Sequence, residues 1–266
     1  MAEESVLILP TQKRQAEVNM NTCILFGKEK CGKSTAISKL ENCLIIDTEK
    51  GTRKLEALTL EVPEDLGPVG KMTWLKRLAD QIIAEGRPYD YIAIDTFTEI
   101  NEWAEWSGTF KYMNSPQGKS FNRVKDKNGN PIKGGEYLSP NDPDYMSVHT
   151  LPEGYGYRWS REEVMDIFNK FQNVAKKCVI FVCHIEDKYV ALKDATDLVV
   201  PKQLALTGKI RDILPRKVDC IGYVYNDKGT IKVNFTGTEE KIGGTRAKHL
   251  IGYNGDLDWE KIFIKD

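Results

Sequence analysis

Gly27-Lys-Glu-Lys-Cys-Gly-Lys-Ser34 decides the fold: four residues separate its two glycines, and Lys33 and Ser34 follow the second. That is the phosphate-binding loop pattern, in which glycines let backbone amides turn inward around phosphate oxygens. The loop lies between an apolar run, Thr22-Cys-Ile-Leu-Phe26, and a segment from Lys33 to about Glu41 that reads as a helix. A second apolar run, Cys43-Leu-Ile-Ile-Asp47, completes a strand, loop, helix, strand unit. The helix start adds its partial positive charge to the site. The expected nucleotide-binding residues are Gly27, Lys28, Glu29, Lys30, Cys31, Gly32, Lys33, Ser34 and Thr35. Lys33 is expected to neutralise β/γ charge and Ser34 to ligate Mg2+, so the expected cofactors are ATP and Mg2+.

Outward from this unit, apolar residues Leu75, Leu78, Ala79 and Ile82 recur at helical spacing and predict a helix from Met72 to Glu85. Gly86-Arg-Pro88 stops it before an apolar run that ends at Asp95. Ser160-Arg-Glu-Glu163 has the form of a capping box and predicts a third helix. Cys178-Val-Ile-Phe-Val-Cys183 follows as a continuous apolar strand, the mark of a sheet buried on both faces. A helix is expected after Pro201, and Asp219 to Tyr225 with Thr230 to Phe235 read as a β-hairpin around Asn226-Asp-Lys-Gly229. The fold class is therefore α/β: a mostly parallel central sheet flanked by helices, with a C-terminal antiparallel β-hairpin extension. We expect one domain over residues 1–266, with a long loop insertion at about 108–156 and the β extension at about 218–266.

Three strand ends carry further candidates. Asp95 closes the run Tyr91-Ile-Ala-Ile-Asp95 and precedes Thr96, the place where phosphate-loop proteins put the carboxylate that holds magnesium through water. Asp47-Thr-Glu49 closes the second strand, which brings Glu49 within reach of the phosphate site to polarise water. His184 ends the strand from Cys178 and reaches the same carboxyl edge if the sheet is parallel, as a γ-phosphate sensor. Lys33, Glu49, Asp95 and His184 are the expected catalytic set.

These four elements, in this order, resemble the RecA-like recombinase ATPases, and specifically the compact phage-encoded RecA-like single-strand annealing proteins. The resemblance covers Thr22 to His184 well and the tail more loosely, through Gly243-Gly-Thr-Arg246 and Gly255-Asp-Leu-Asp-Trp259. It implies that Glu49 activates water, that Asp95 is the Walker B aspartate, and that His184 relays the γ-phosphate state to DNA-binding loops. It also implies single-stranded DNA as partner, a homo-oligomer or filament, a single-strand-binding protein as further partner, and Arg246 or Lys248 completing a neighbour's ATP site. The long insertion and the lack of a recognisable N-terminal oligomerisation domain depart from RecA and leave the filament open.

Composition narrows the rest. With 38 basic and 39 acidic residues the chain is nearly neutral, so nucleic-acid binding has to come from local patches. One such patch is Lys119, Arg123, Lys125, Lys127 and Lys133 among Phe110, Tyr112, Phe121 and Tyr137; a second is Lys188 to Lys209. No run approaches the roughly 18 apolar residues of a membrane span. The apolar run Val6 to Leu9 lies behind Glu3 and Glu4 and does not read as a secretory signal. Six cysteines without paired spacing read as reduced thiols of a cytoplasmic protein, in the host cytoplasm if phage-encoded. The leading expectation is a DNA-stimulated ATPase for annealing or recombination. A small-acceptor P-loop kinase and a nucleotide-gated accessory protein are the alternatives.

Overall fold

The computed structural model describes residues 11–187, 202–238 and 241–264. Along the chain run β1 (Thr22–Phe26), α1 (Lys33–Ile37), β2 (Cys43–Asp47), β3 (Leu58–Glu61), α2 (Pro68–Ala84), β4 (Tyr91–Asp95) and α3 (Phe97–Asn114). After the insertion come α4 (Tyr157–Phe171), β5 (Cys178–Cys183), β6 (Ile185–Asp187), β7 (Lys202–Leu204), α5 (Ile210–Lys217), β8 (Cys220–Asp227) and β9 (Thr230–Asn234). Two short strands, β10 (Gly244–Thr245) and β11 (Asn254–Asp256), and α6 (Trp259–Ile262) close it.

The main sheet has the order β11-β9-β8-β1-β5-β4-β2-β3, with β10 on the edge of β8. From β8 to β3 every pairing is parallel, and β9, β10 and β11 add antiparallel strands at one end. The expected fold class is the one observed. Alternate residues of each central strand serve two cores, as strand geometry requires. Ile24, Ile46, Ile94 and Phe181 meet α2, α3, α4 and α5 on one face. Leu25, Ile45, Ala93 and Ile180 meet α1, α6 and the C-terminal strands on the other. All six cysteines are free and buried. Among the described residues no helix is long and apolar enough to cross a membrane.

Several expected boundaries move. The first helix is shorter than Lys33 to Glu41: after Ile37 the bonds tighten to Lys39 N–Ala36 O (3.2 Å) and Leu40 N–Ile37 O (3.0 Å). The second begins earlier, with Gly67 at its cap and Pro68 in its first turn, a residue that costs nothing there. The capping box at Ser160 is not formed. α4 starts at Tyr157, and Ser160 sits one turn inside, with its hydroxyl 2.7 Å from His149 Nε2. Glu163 turns away from the helix start: it is buried and takes Ser107 Oγ at 2.7 Å, with Lys111 and Lys76 as ion partners from two other helices.

The expected insertion begins at 115 rather than 108, because α3 continues to Asn114. Its buried face includes Asn101, Ser107, Gly108 and Thr109 among Ile100, Trp103 and Tyr112, so its apolar periodicity is weak where helix packing is closest. The segment after Pro201 first makes β7, antiparallel to β6, and only then a helix.

Candidate active site

Parallel register brings four strand ends to one edge. Phe26 lies opposite Cys183, Asp95 opposite Val182, and Asp47 opposite Asp95. The residues that follow, Gly27, His184, Thr96 and Thr48, therefore leave the sheet side by side, at the carboxyl edge where open α/β sheets bind ligands.

The loop from Gly27 to Gly32 is held tightly against the β8–β9 hairpin. A methyl group on Gly27 would lie 2.2 Å from Val224 O, and Gly32, with φ of 101°, caps α1 with its own Cα facing Ile231. Lys33 is only 5% exposed, and its ammonium donates to Gly27 O and Lys28 O, both at 2.9 Å. Cys31 is buried beneath the loop, whereas Lys28, Glu29, Lys30 and Thr35 face outward. Ser34 Oγ donates to Asp95 Oδ2 at 2.5 Å, which joins the two residues expected to share Mg2+. Burial pushes the Asp95 carboxyl up, opposed by the Ser34 bond and the Lys33 charge. A hydroxyl beside a carboxylate, next to an ammonium and a glycine cradle with no room for Cβ, fits a nucleotide phosphate with Mg2+.

Glu49 is presented by a turn that Asp47 builds. The buried Asp47 carboxylate accepts the amides of Glu49 (3.1 Å), Gly51 (3.2 Å) and Thr52 (2.9 Å) and the Thr52 hydroxyl. Glu49 Oε1 in turn accepts Thr96 Oγ1 at 2.8 Å and pairs with His184 Nε2 at 3.0 Å. The His184 bond holds the Glu49 carboxyl below its usual range, and the same bond raises the imidazole. Two threonines missed in the sequence complete the arrangement. Thr48 Oγ1 accepts Thr96 N at 2.7 Å, and Thr98 Oγ1 accepts His184 N at 3.0 Å. Thr48 stands next to the strand-end Asp47, but Thr98, three residues past Asp95, has no such neighbour to mark it.

The other candidates are not brought here. Arg246 lies at the opposite, amino edge, since Thr245 pairs with Cys220 and Cys220 with Cys23. It is held there by Asp219 Oδ1 (3.3 Å) and Arg216 O (2.8 Å). Lys248 is exposed two residues further on. Lys119 and Lys125 are exposed on the insertion, 115–156. Arg123 and its aromatic neighbours have partners within the chain. The guanidinium stacks 4.1 Å over Tyr137 and donates to Gly135 O, and the Tyr137 hydroxyl is spent on Met113 O and Lys119 O. Tyr112 is buried against Phe121 and Trp159. These rings pack the insertion together and leave only Phe110, 48% exposed, open to stack a base. Lys188 lies outside the described residues.

A second concavity, of about 350 Å3, opens between the start of α4 and residues 207–210. Tyr155, Tyr157, Arg158, Arg161 and Lys209 line it, with Glu153 opposing them. Arg158 also pairs with Glu162 at 2.7 Å. Neither arginine was singled out in the sequence, because both sit on the exposed side of a helix where charge is expected anyway.

Comparison with known proteins places the phosphate loop within a known family. A family model described as an AAA domain matches residues 19–247. No curated protein matches. Among solved structures, one described as a prototypical ATPase from the type III secretion system of pathogenic bacteria is similar over 77% of this chain, at 11% identity and a TM-score of 0.41. The chain spans 51% of that protein. With β1 carrying the phosphate loop and β5 between it and β4, the core is a P-loop core of an AAA domain.

Proposed function

Because this chain belongs to the AAA domain family of P-loop proteins that bind and hydrolyse ATP, we propose that it is a Mg2+-dependent ATPase whose turnover is coupled to single-stranded DNA. The observation that carries the ATPase part is the meeting of Lys33, Ser34, Asp95 and Glu49 at one sheet edge. Ser34 and Asp95 would hold Mg2+, which supplies charge neutralisation at the β- and γ-phosphates when bound. Lys33 leaves Gly27 O and Lys28 O for the phosphates, and the loop amides with the α1 start accept the rest of the negative charge. Glu49 orients water and takes its proton as the oxygen attacks the γ-phosphorus. The bond to the β–γ bridging oxygen breaks, and ADP and phosphate leave.

Support for the DNA part is the cleft of Arg158, Arg161 and Lys209 with Tyr155, charges and rings suited to phosphates and bases. Residues 207–210 of its wall follow shortly after Ala205, whose N donates to His184 O at 3.0 Å. We extend the reading to annealing or recombination by a homo-oligomer or filament, with Arg246 or Lys248 of a neighbouring copy at the ATP site and a single-strand-binding protein as partner. The test is ATP turnover by the full chain at fixed low salt, with and without an oligonucleotide. The expected result is stimulation that fades as salt rises and is lost on Arg161→Glu with Lys209→Glu. Turnover indifferent to DNA would overturn the coupling, keep the ATPase, and direct the search to small phosphate acceptors.

A further inference from the structure

We propose that Ser160, His149 and Glu105 form a second catalytic centre, a serine hydrolase triad that cleaves small carboxylic esters carrying an anionic group. The inference goes beyond the ATPase and DNA readings and rests on neither. It starts from the hydroxyl that does not cap α4: Ser160 Oγ lies 2.7 Å from His149 Nε2, closer than its other acceptor, Tyr157 O, at 3.4 Å. On the far side of the ring, His149 Nδ1 lies 3.4 Å from Glu105 Oε2. A hydroxyl, an imidazole and a carboxylate in that order of contact are the nucleophile, base and orienting group of acyl transfer.

Packing fixes the three parts, which come from separate segments. Glu105 belongs to α3, His149 to the short helical turn Val148–Thr150, and Ser160 to α4. Gly108 lets α3 press on α4, since a methyl group there would lie 2.7 Å from Ser160 N, and the bare Cα of Gly156 makes room for Val148 O. Thr109 Oγ1 accepts Val148 N at 3.0 Å and ties the turn to α3. Tyr157 stacks on the imidazole at 4.2 Å with 11° between the planes, which sets the tilt of the ring. The His149 bond holds the Glu105 carboxyl below its usual range against the effect of burial, and Ser147 adds to it. An ionised Glu105 keeps the proton on Nδ1 and leaves Nε2 to receive the one on Ser160.

Ser160 also lines the cleft of about 350 Å3 between the start of α4 and residues 207–210, together with Arg161 and Lys209. Among the described residues no hydrogen bond or ion pair engages Arg161, whereas Arg158 is held by Glu162 at 2.7 Å. Arg161 therefore has its charge free for the oxyanion of a tetrahedral intermediate, and Lys209 for the anionic group of the ester. Ser160 Oγ attacks the ester carbonyl as its proton passes to His149 Nε2. The bond to the leaving oxygen breaks, and that oxygen takes the proton from Nε2 as the alcohol departs. Water then attacks the acyl-serine and gives its proton to Nε2. Ser160 Oγ leaves with that proton, and a carboxylic acid is released.

The experiment follows p-nitrophenyl acetate and the p-nitrophenyl monoester of succinic acid with the full chain, in the absence of nucleotide and Mg2+. The triad predicts turnover of both above the buffer rate, with the monoester favoured about tenfold in kcat/KM, the order of one charge-assisted hydrogen bond. Lys209→Ala removes that preference. Ser160→Ala, which loses only a hydroxyl, falls to the buffer rate, and His149→Gln loses a factor of about 10²–10⁴. The unmodified chain gains rate as pH rises through an imidazole transition, and acid quenching traps an acyl group on Ser160 that peptide mass spectrometry locates. A chain of hydrogen bonds that only holds α3 and α4 together would show none of this. Absence of turnover, a Ser160→Ala variant as active as the unmodified chain, or an acyl group on a lysine in place of Ser160 each overturns the centre. Equal rates for the two esters overturn the anionic substrate class.

Discussion

Two glycine-bearing loops of this chain, residues 27–32 and the insertion 115–156, are built on different principles. The first is clamped by the fold: β1 delivers it, α1 leaves it, and the β8–β9 hairpin packs on Gly27 and Gly32 so closely that no side chain fits. The second is held by contacts of its own side chains and by its packing on α3. Arg123 stacks on Tyr137, the Asn122 side chain exchanges bonds of 2.7 and 2.8 Å with Met146, and Asp126 closes the tip through the amides of Asn128 and Asn130. A loop whose shape serves a ligand constrains its residues to a fixed spacing. A loop whose shape serves only itself can meet the same need with many sequences.

The largest expected effect breaks the first loop's chemistry without touching its shape. Glu49→Gln keeps the bond from Thr96 but loses the base, and turnover should fall by about 10²–10⁴ while ATP still binds; a turnover assay beside nucleotide titration checks both. Loss of binding together with turnover would mean that Glu49 holds the site together instead of activating water.

Next in size is Gly27→Ala, which drives a methyl group toward Val224 O at 2.2 Å. Overpacking of that kind costs about 1–3 kcal/mol, read from the urea midpoint. An unchanged midpoint would show that the hairpin yields, and the clamp would be looser than its contacts suggest.

In the insertion, Tyr137→Phe removes the hydroxyl shared by Met113 O and Lys119 O. The expected cost is about 1 kcal/mol, seen as faster hydrogen exchange within 115–156 and unchanged ATP turnover without DNA. A matching fall in turnover would erase the distinction between the two loops.

The smallest effect is expected at Lys125, exposed at the rim of the insertion. Lys125→Ala should alter stability by less than about 0.5 kcal/mol and leave oligonucleotide affinity within about twofold at physiological salt. A strong loss of affinity would return the insertion to the centre of DNA binding.

The same contrast explains what was legible in the sequence. Strands β1, β2, β4 and β5 were readable because burial on both faces makes them unbroken apolar runs, and the hairpin because Gly229 follows Asn226-Asp-Lys with positive φ at Lys228 and Gly229. The phosphate loop, Glu49, Asp95 and His184 were readable because each ends or follows such a run. Helix α3 was not, since its buried face uses Asn101, Ser107 and Thr109, whose role depends on partners far along the chain. The Ser160 box failed for a similar reason: Glu163 bonds Ser107, fifty-six positions away, in preference to its own helix start. Thr48 and Thr98 gained meaning only when register set them beside Thr96 and His184.

The most direct measurement of the central claim is ATP hydrolysis by the purified full chain with Mg2+, beside Lys33→Ala. Lys33 is the buried ammonium that the phosphate loop encloses, and its loss should lower turnover by about 10² or more. Equal turnover in the two proteins would place any hydrolysis elsewhere and contradict the assignment of this loop as the ATP site.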